Sequence, residues 1–183
     1  MKKIAFLVAE VFPHTVTRSS YFDAGFDAVI NFDLQEEAQA GAACLPAMDS
    51  IYREYSDKMH GNNSFNVMSY ISSHDTQLFN RIADNKPAMQ KRVAAALLFT
   101  PGTSQIFYGD ESGRQFGPTG SDGHQGTRSD MNWADIENGK AEPILAHWRK
   151  LGQFRVKVTL AVTAVKAVAK KPQSRTFYTK SIH

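Results

Sequence analysis

The apolar positions of the chain fall into two kinds of segment. Four short runs rich in β-branched and aromatic residues, Ile4–Ala9, Phe26–Phe32, Phe65–Ile71 and Ser104–Tyr108, predict strands. Between the second and third, Leu45, Met48, Tyr52, Tyr55 and Met59 recur at helical spacing and mark one face. Asp33, with Glu36 three residues on, predicts an N-cap with a capping box. Pro46 divides this stretch into two helices, and Gly61 sits where the second should stop. Between the third and fourth strands, Pro87 suits a first helical turn, and Met89, Val93 and Leu97 repeat at every fourth position. Thr100-Pro101-Gly102 ends that helix. A Gly-rich loop over residues 109–126 follows the fourth strand, and a further helix is predicted over Pro143–Phe154. The first connection, residues 10–25, offers only Ser20–Gly25 as a helical turn. Strands alternating with helices in this way predict βαβ units and a parallel sheet.

Beyond residue 155 the text changes character, so we divide the chain into residues 1–155 and a basic tail, 156–183. Val156, Val158, Leu160 and Val162 alternate as in a strand, while the Lys-rich surroundings suit an unstructured tail; both readings stand. Every charged side chain after Glu142 is basic, from Arg149 to Lys180, against a net charge of only +3 for the whole chain. These charges are scattered, which favours a solvated tail over a nucleic-acid arm. Hydrophobic content of 42% and charged content of 21% lie in the ordinary globular range. Apolar runs such as Val93–Phe99 are far too short for a membrane span. Glu10 interrupts the apolar start too early for a secretory signal. Neither a nucleic acid nor a membrane is therefore expected as a partner. Cys44 is the single cysteine, which excludes an intrachain disulfide and a thiolate cluster.

A regularity appears at the ends of the strands. Glu10 follows the first, Asp33 the second, His74-Asp75 the third and Asp110-Glu111 the fourth. In a (β/α) barrel, functional groups gather at the carboxyl ends of the strands. Each acidic residue also has a structural explanation. Asp33 serves as the helix cap, and Asp110 and Glu111 suit loop residues paired with Arg114 or Arg128. Glu10 and Asp75 directly abut apolar strands, and for them catalysis and structure remain equal alternatives.

The local sequences around these positions resemble a known family. Phe6-Leu7-Val8-Ala9-Glu10 is similar to the segment of the α-amylase family (glycoside hydrolase family 13) that ends in its proton-donating glutamate. Ser69-Tyr70-Ile71-Ser72-Ser73-His74-Asp75 resembles that family's histidine–aspartate segment. Residues 100–111, with a Pro-Gly lead-in and a Tyr-Gly-Asp-Glu end, resemble its last barrel strand. Arg128-Ser129-Asp130-Met131-Asn132-Trp133 resembles the Arg-x-x-Met-x-Trp stretch that follows. The motifs stand in the family's order, and the resemblance runs over residues 4–155.

This resemblance implies a fold of the α/β class: a partial (β/α)8 TIM barrel, about the last four β/α units, with an irregular basic C-terminal tail. It implies retaining hydrolysis of α-1,4-glucosidic bonds, in which one carboxyl attacks and another protonates the leaving oxygen. Glu10 would be the general acid and then the base, with a site that raises its pKa through partial burial or nearby negative charge. Asp75 would be the carboxylate that holds sugar hydroxyls, and His74 would donate to the same sugar. Arg128 would join them as a substrate contact. Phe12, Tyr21, Phe22, Phe116 and Trp133 suit stacking on sugar faces or plain packing, and Phe12 is the stacking candidate carried forward.

The family's nucleophilic aspartate lies on the barrel strand before that of its acid, and no Gly-x-Arg-x-Asp segment occurs among these 183 residues. The expectation is a fragment, from truncation or a shifted frame, that is inactive alone. The partners expected are starch or maltooligosaccharide and the missing N-terminal barrel half. The calcium usual in the family is held largely by earlier segments, so no cofactor is expected in this chain. A full-length family member would be periplasmic or secreted. Two other readings compete: a carbohydrate-binding or docking module without chemistry, and a metal-dependent phosphohydrolase built on His74-Asp75. The second needs further ligands, and His14, His60, His124 and His147 show no suitable spacing.

Overall fold

The computed structural model describes residues 5–12, 20–39, 66–118 and 125–169, together with Pro46, Asp49, Ser50, Arg53 and Asp57. Strands β1 (Val8–Ala9), β2 (Ala28–Asn31), β3 (Val67–Ser69) and β4 (Thr103–Ser104) form a sheet in the order β1-β2-β3-β4. All neighbours are parallel, with Ala9 opposite Val29, Ile30 opposite Met68 and Ser69 opposite Ser104. Spatial order that follows chain order is the winding of a (β/α) barrel, and this sheet is a partial barrel wall.

The strands are shorter than their apolar runs. Past β4 the ladder continues for one bond, from the Gln105 N–H to the Ser69 carbonyl at 2.8 Å. A turn closed by the Asp110 N–H on the Phe107 carbonyl (3.0 Å) then carries the chain off the sheet, so Gln105–Phe107 are not strand. Entry into β4 depends on Gly102, whose φ is +91°. A Cβ there would lie 2.6 Å from the Val67 carbonyl oxygen, so glycine is required on both counts.

Helix α1 (Ser20–Asp23) is the single turn that the first connection suggested. Helix α2 (Phe32–Gln39) leaves β2 without a loop. Its cap is Asn31, whose Oδ1 accepts the Leu34 N–H at 3.2 Å, and not Asp33, which lies inside the first turn. The strand ends one residue earlier than its apolar run implies, which moves the helix start forward. The face marked by Leu45, Met48, Tyr52, Tyr55 and Met59 lies outside the described residues, as do Cys44 and Gly61; the described positions between Pro46 and Asp57 are helical.

Helices α3 (Phe79–Ile82) and α4 (Pro87–Phe99) follow β3, the latter with Pro87 in its first turn as expected. After β4 come a 3₁₀ turn (Gln125–Arg128), helix α5 (Trp133–Glu137) and helix α6 (Glu142–Ala169). Helix α6 runs well past Phe154, so Val156 and Val158 are helical, and up to Ala169 both the strand-like and the unstructured readings are corrected. Residues 170–183 lie outside the described part.

Two apolar clusters hold these layers. Leu34, Ile71, Phe79, Val93, Leu97 and Trp148 join α2, α3, α4 and α6 beside the sheet. Ala9, Phe22, Val29 and Val67 join α1 to β1, β2 and β3. Arg155 of α6 donates to the carbonyls of Leu98, Thr100 and Gly102, where α4 ends and β4 is about to begin. A cation at that position satisfies carbonyls that a helix end leaves open.

Candidate active site

The carboxyl ends of the strands open onto a cavity of about 280 Å³. Glu10 comes from just past β1, Phe32 from past β2, Tyr70, His74 and Asp75 from past β3, and Gln105 from past β4; Ile30 of β2 and Met68 of β3 also line it. The fold thus brings Glu10, His74 and Asp75 to one cavity from strand ends that are distant in sequence. Phe12 and Arg128 do not line it, but each touches a residue that does. Phe12, 73% exposed, packs edge-on against Phe32 with ring centroids 5.1 Å apart.

Asp75 is held from two sides. Its Oδ1 accepts from Arg128 Nη2 at 3.0 Å, and its Oδ2 lies 3.1 Å from His74 Nε2. All three side chains are substantially exposed, so these contacts orient the carboxylate more than they stabilise the fold. Glu10 is also exposed, so the partial burial expected around a proton donor is not provided by the described residues.

The negative field of the cavity is visible at Tyr70. Burial first, and then the charges of Glu10, Glu36 and Asp75, push its hydroxyl up to about 12. Three carboxylates therefore act on one buried phenol.

Beneath the His74-Asp75 loop lies a second, buried layer. Asp110 is buried, and although the charge of Arg114 acts on it as expected, its hydrogen bond comes from Ser72. Its Oδ1 accepts from Ser72 Oγ at 2.7 Å, while its Oδ2 is buried without a hydrogen-bond partner. Burial drives the Asp110 carboxyl up to about 7, and Glu111 adds to the rise against the lowering effects of Ser72 and Arg114. Glu111 accepts the Gly109 N–H at 2.9 Å. Arg114 spans the loop instead, donating to the carbonyls of Tyr108, Thr127 and Ser129.

The other aromatic candidates are explained by packing. Phe22 is buried in the core, Tyr21 meets Phe26 edge-on at 5.7 Å, and Phe116 lies under the Arg81 guanidinium at 4.1 Å. Trp133, 64% exposed, opens α5 and does not line the cavity. Residues that the sequence did not mark, Tyr70, Phe32 and Gln105, line the cavity. Each sits just past a strand, a position from which side chains of any type reach the cavity. Among the described residues no three His, Cys, Asp or Glu side chains gather as a metal ion requires. No helix among them is long and apolar enough to cross a membrane.

No family model matches the chain. It is 50% identical over 151 residues to the periplasmic alpha-amylase of Escherichia coli, a match that covers 82% of this chain and 21% of that relative. Among solved structures, an Anoxybacillus alpha-amylase superposes with a TM-score of 0.61 at 25% identity, covering 84% of this chain and 33% of its own. An alpha-amylase from H. orenii gives 0.60 at 22% identity, covering 83% and 36%. The chain therefore spans about a fifth of its curated relative and about a third of these structures. With the parallel sheet, the strand-end cavity and this identity together, the chain is similar over most of its length to part of an alpha-amylase, and its fold is part of a (β/α) barrel.

Proposed function

We propose that this chain supplies the proton-donating side of an α-amylase-type site and needs a nucleophile from outside its 183 residues. The observation that carries this reading is the convergence of Glu10 with His74 and Asp75 on one cavity at the carboxyl ends of parallel strands. In a retaining mechanism Glu10 protonates the leaving glycosidic oxygen and then takes a proton from the attacking water. Asp75, oriented by Arg128 and His74, accepts hydrogen bonds from sugar hydroxyls, and His74 donates to the same ring. The substrate class is starch or maltooligosaccharide, and the completing partner is a polypeptide that carries the first barrel strands. The cavity of about 280 Å³ sits at the lower limit of small-molecule sites, about 300–1,000 Å³, as suits part of a larger cleft. For the complete protein we propose a periplasmic or secreted location. No calcium is assigned to this chain's described residues.

The test is reducing-sugar release from starch. The chain alone should release none. Mixed with a polypeptide that holds the first barrel strands and the nucleophile, it should gain activity that Glu10→Gln lowers by about 10²–10⁴-fold. Release by the chain alone, abolished by Glu10→Gln, would show that no outside nucleophile is needed. The exposed ring of Phe12 favours a second reading, sugar binding without chemistry. Titration with maltooligosaccharide that shows no binding at millimolar concentration removes it.

A further inference from the structure

Arg114 is among the largest fully buried side chains of the molecule, and its charge meets backbone carbonyls and aromatic faces. Nε donates to the Tyr108 carbonyl at 3.0 Å, Nη1 to the Ser129 carbonyl at 2.9 Å and Ser129 Oγ at 2.6 Å, and Nη2 to the Thr127 carbonyl at 3.0 Å. The Tyr108 ring lies 4.0 Å from the guanidinium carbon. Only a planar fork reaches these acceptors at once; a lysine ammonium in the same space does not. Of the residues it holds, Thr127 touches the His74-Asp75 loop directly, and Arg128, next along the chain, does so too. Thr127 Oγ1 donates to the His74 carbonyl at 2.8 Å, and the neighbouring Arg128 binds Asp75. The turn that carries Arg114 also carries Asp110, which accepts from Ser72 at the other end of the same loop. Ser72 Oγ in turn accepts the Phe79 N–H at 2.9 Å, fixing the start of α3.

We infer that Arg114 is a positioning residue, a buried strut that sets the cavity-facing geometry of His74 and Asp75 through Thr127 and Arg128. It touches no substrate. Its relevance to carbohydrate rests on the reading given above; its mechanical role does not. Segment 72–75 has polar anchors at both ends, to residue 110 and to residues 127–128, and Arg114 joins the two anchors.

The experiment compares the intact chain with Arg114→Lys and Thr127→Val, with Arg155→Lys as a control that loses carbonyl contacts at the distant end of α4. The first readout is the set of ¹H–¹⁵N amide resonances; the second is affinity for maltoheptaose. Arg114→Lys and Thr127→Val should both move the amide resonances of His74, Asp75 and Thr76. Both should weaken maltoheptaose binding, Arg114→Lys by about tenfold. Arg155→Lys should leave these resonances and the affinity unchanged despite its own loss of stability. The inference is overturned if the shifts in Arg114→Lys stay within residues 107–118 and 125–129, or if Arg155→Lys moves His74 and Asp75 equally. Should Arg114→Lys not fold, Thr127→Val decides, since an unmoved His74 resonance in that variant removes the link. If the unaltered chain binds no maltoheptaose, the carbohydrate reading fails while the resonances still settle the strut.

Discussion

Asp110 shows what a buried carboxyl does to the molecule that holds it. With its folded pKa at about 7, above the usual carboxylate value, the folded state keeps a proton that the unfolded chain releases. Stability from this group is therefore fully present below about pH 4 and is lost as pH rises towards about 7. Asp110→Asn keeps an oxygen for Ser72 and removes the titration. Relative to this variant, the native chain should lose roughly 2–4 kcal/mol between pH 4 and pH 8. Urea unfolding at the two pH values measures it, and parallel pH curves for both proteins would reject the assignment. The neighbouring Gly109 could not have been chosen otherwise. Its φ is +91°, and a Cβ would lie 2.4 Å from Arg114 Nε. At this scale the sequence was partly legible. Glu10, His74 and Asp75 were marked by their place after apolar runs and by their motif. Asp110 does feel the charge of Arg114, as the sequence suggests, but its burial and its hydrogen bond to Ser72, 38 residues away, leave no trace in local spacing.

Among the elements, the parallel order was readable because each β-rich run alternates with a helical signal. The limits of those elements were not. Asn31 caps α2 from within the end of a strand, a double role that it combines with a 2.8 Å bond from its Nδ2 to Ser69 Oγ on β3. A capping signal read two residues later is therefore displaced. The length of α6 was also missed, because alternating valines at 156 and 158 suit a strand as well as a helix and both are exposed. Beyond the core contact of Trp148, α6 is tied to the barrel wall by Arg155, partly desolvated and bonded to carbonyls at the end of α4, and by the edge-on pair Phe99 and Phe154 at 5.6 Å. Arg155→Met keeps much of the packing and leaves those carbonyls without their donor. It should cost about 1–3 kcal/mol in urea unfolding. A loss below about 0.5 kcal/mol would show that water replaces the guanidinium without penalty.

Among the described residues, the sheet runs from β1 on one side to β4 on the other, within a chain that spans a third of its structural relatives. Exposed Phe6 and Leu7 lead into β1, and exposed Ile106 and Tyr108 follow β4, so apolar side chains lie at both borders. Strand edges of this kind seek pairing. If a polypeptide carrying the first barrel strands completes the wall, these four side chains should lose accessibility when it is added. Covalent footprinting of Tyr108 with and without that polypeptide reads this directly, and unchanged labelling would argue against edge-to-edge closure.

The bonds that anchor His74 and Asp75 to Thr127 and Arg128 span 53 residues. A nascent chain lengthens by about 5–20 residues per second, so the cavity wall at Asp75 waits roughly 3–10 s for its supports to be made. During that interval Glu10 and its strand already exist. The order of synthesis thus separates the making of Glu10 from the setting of Asp75 in the same cavity.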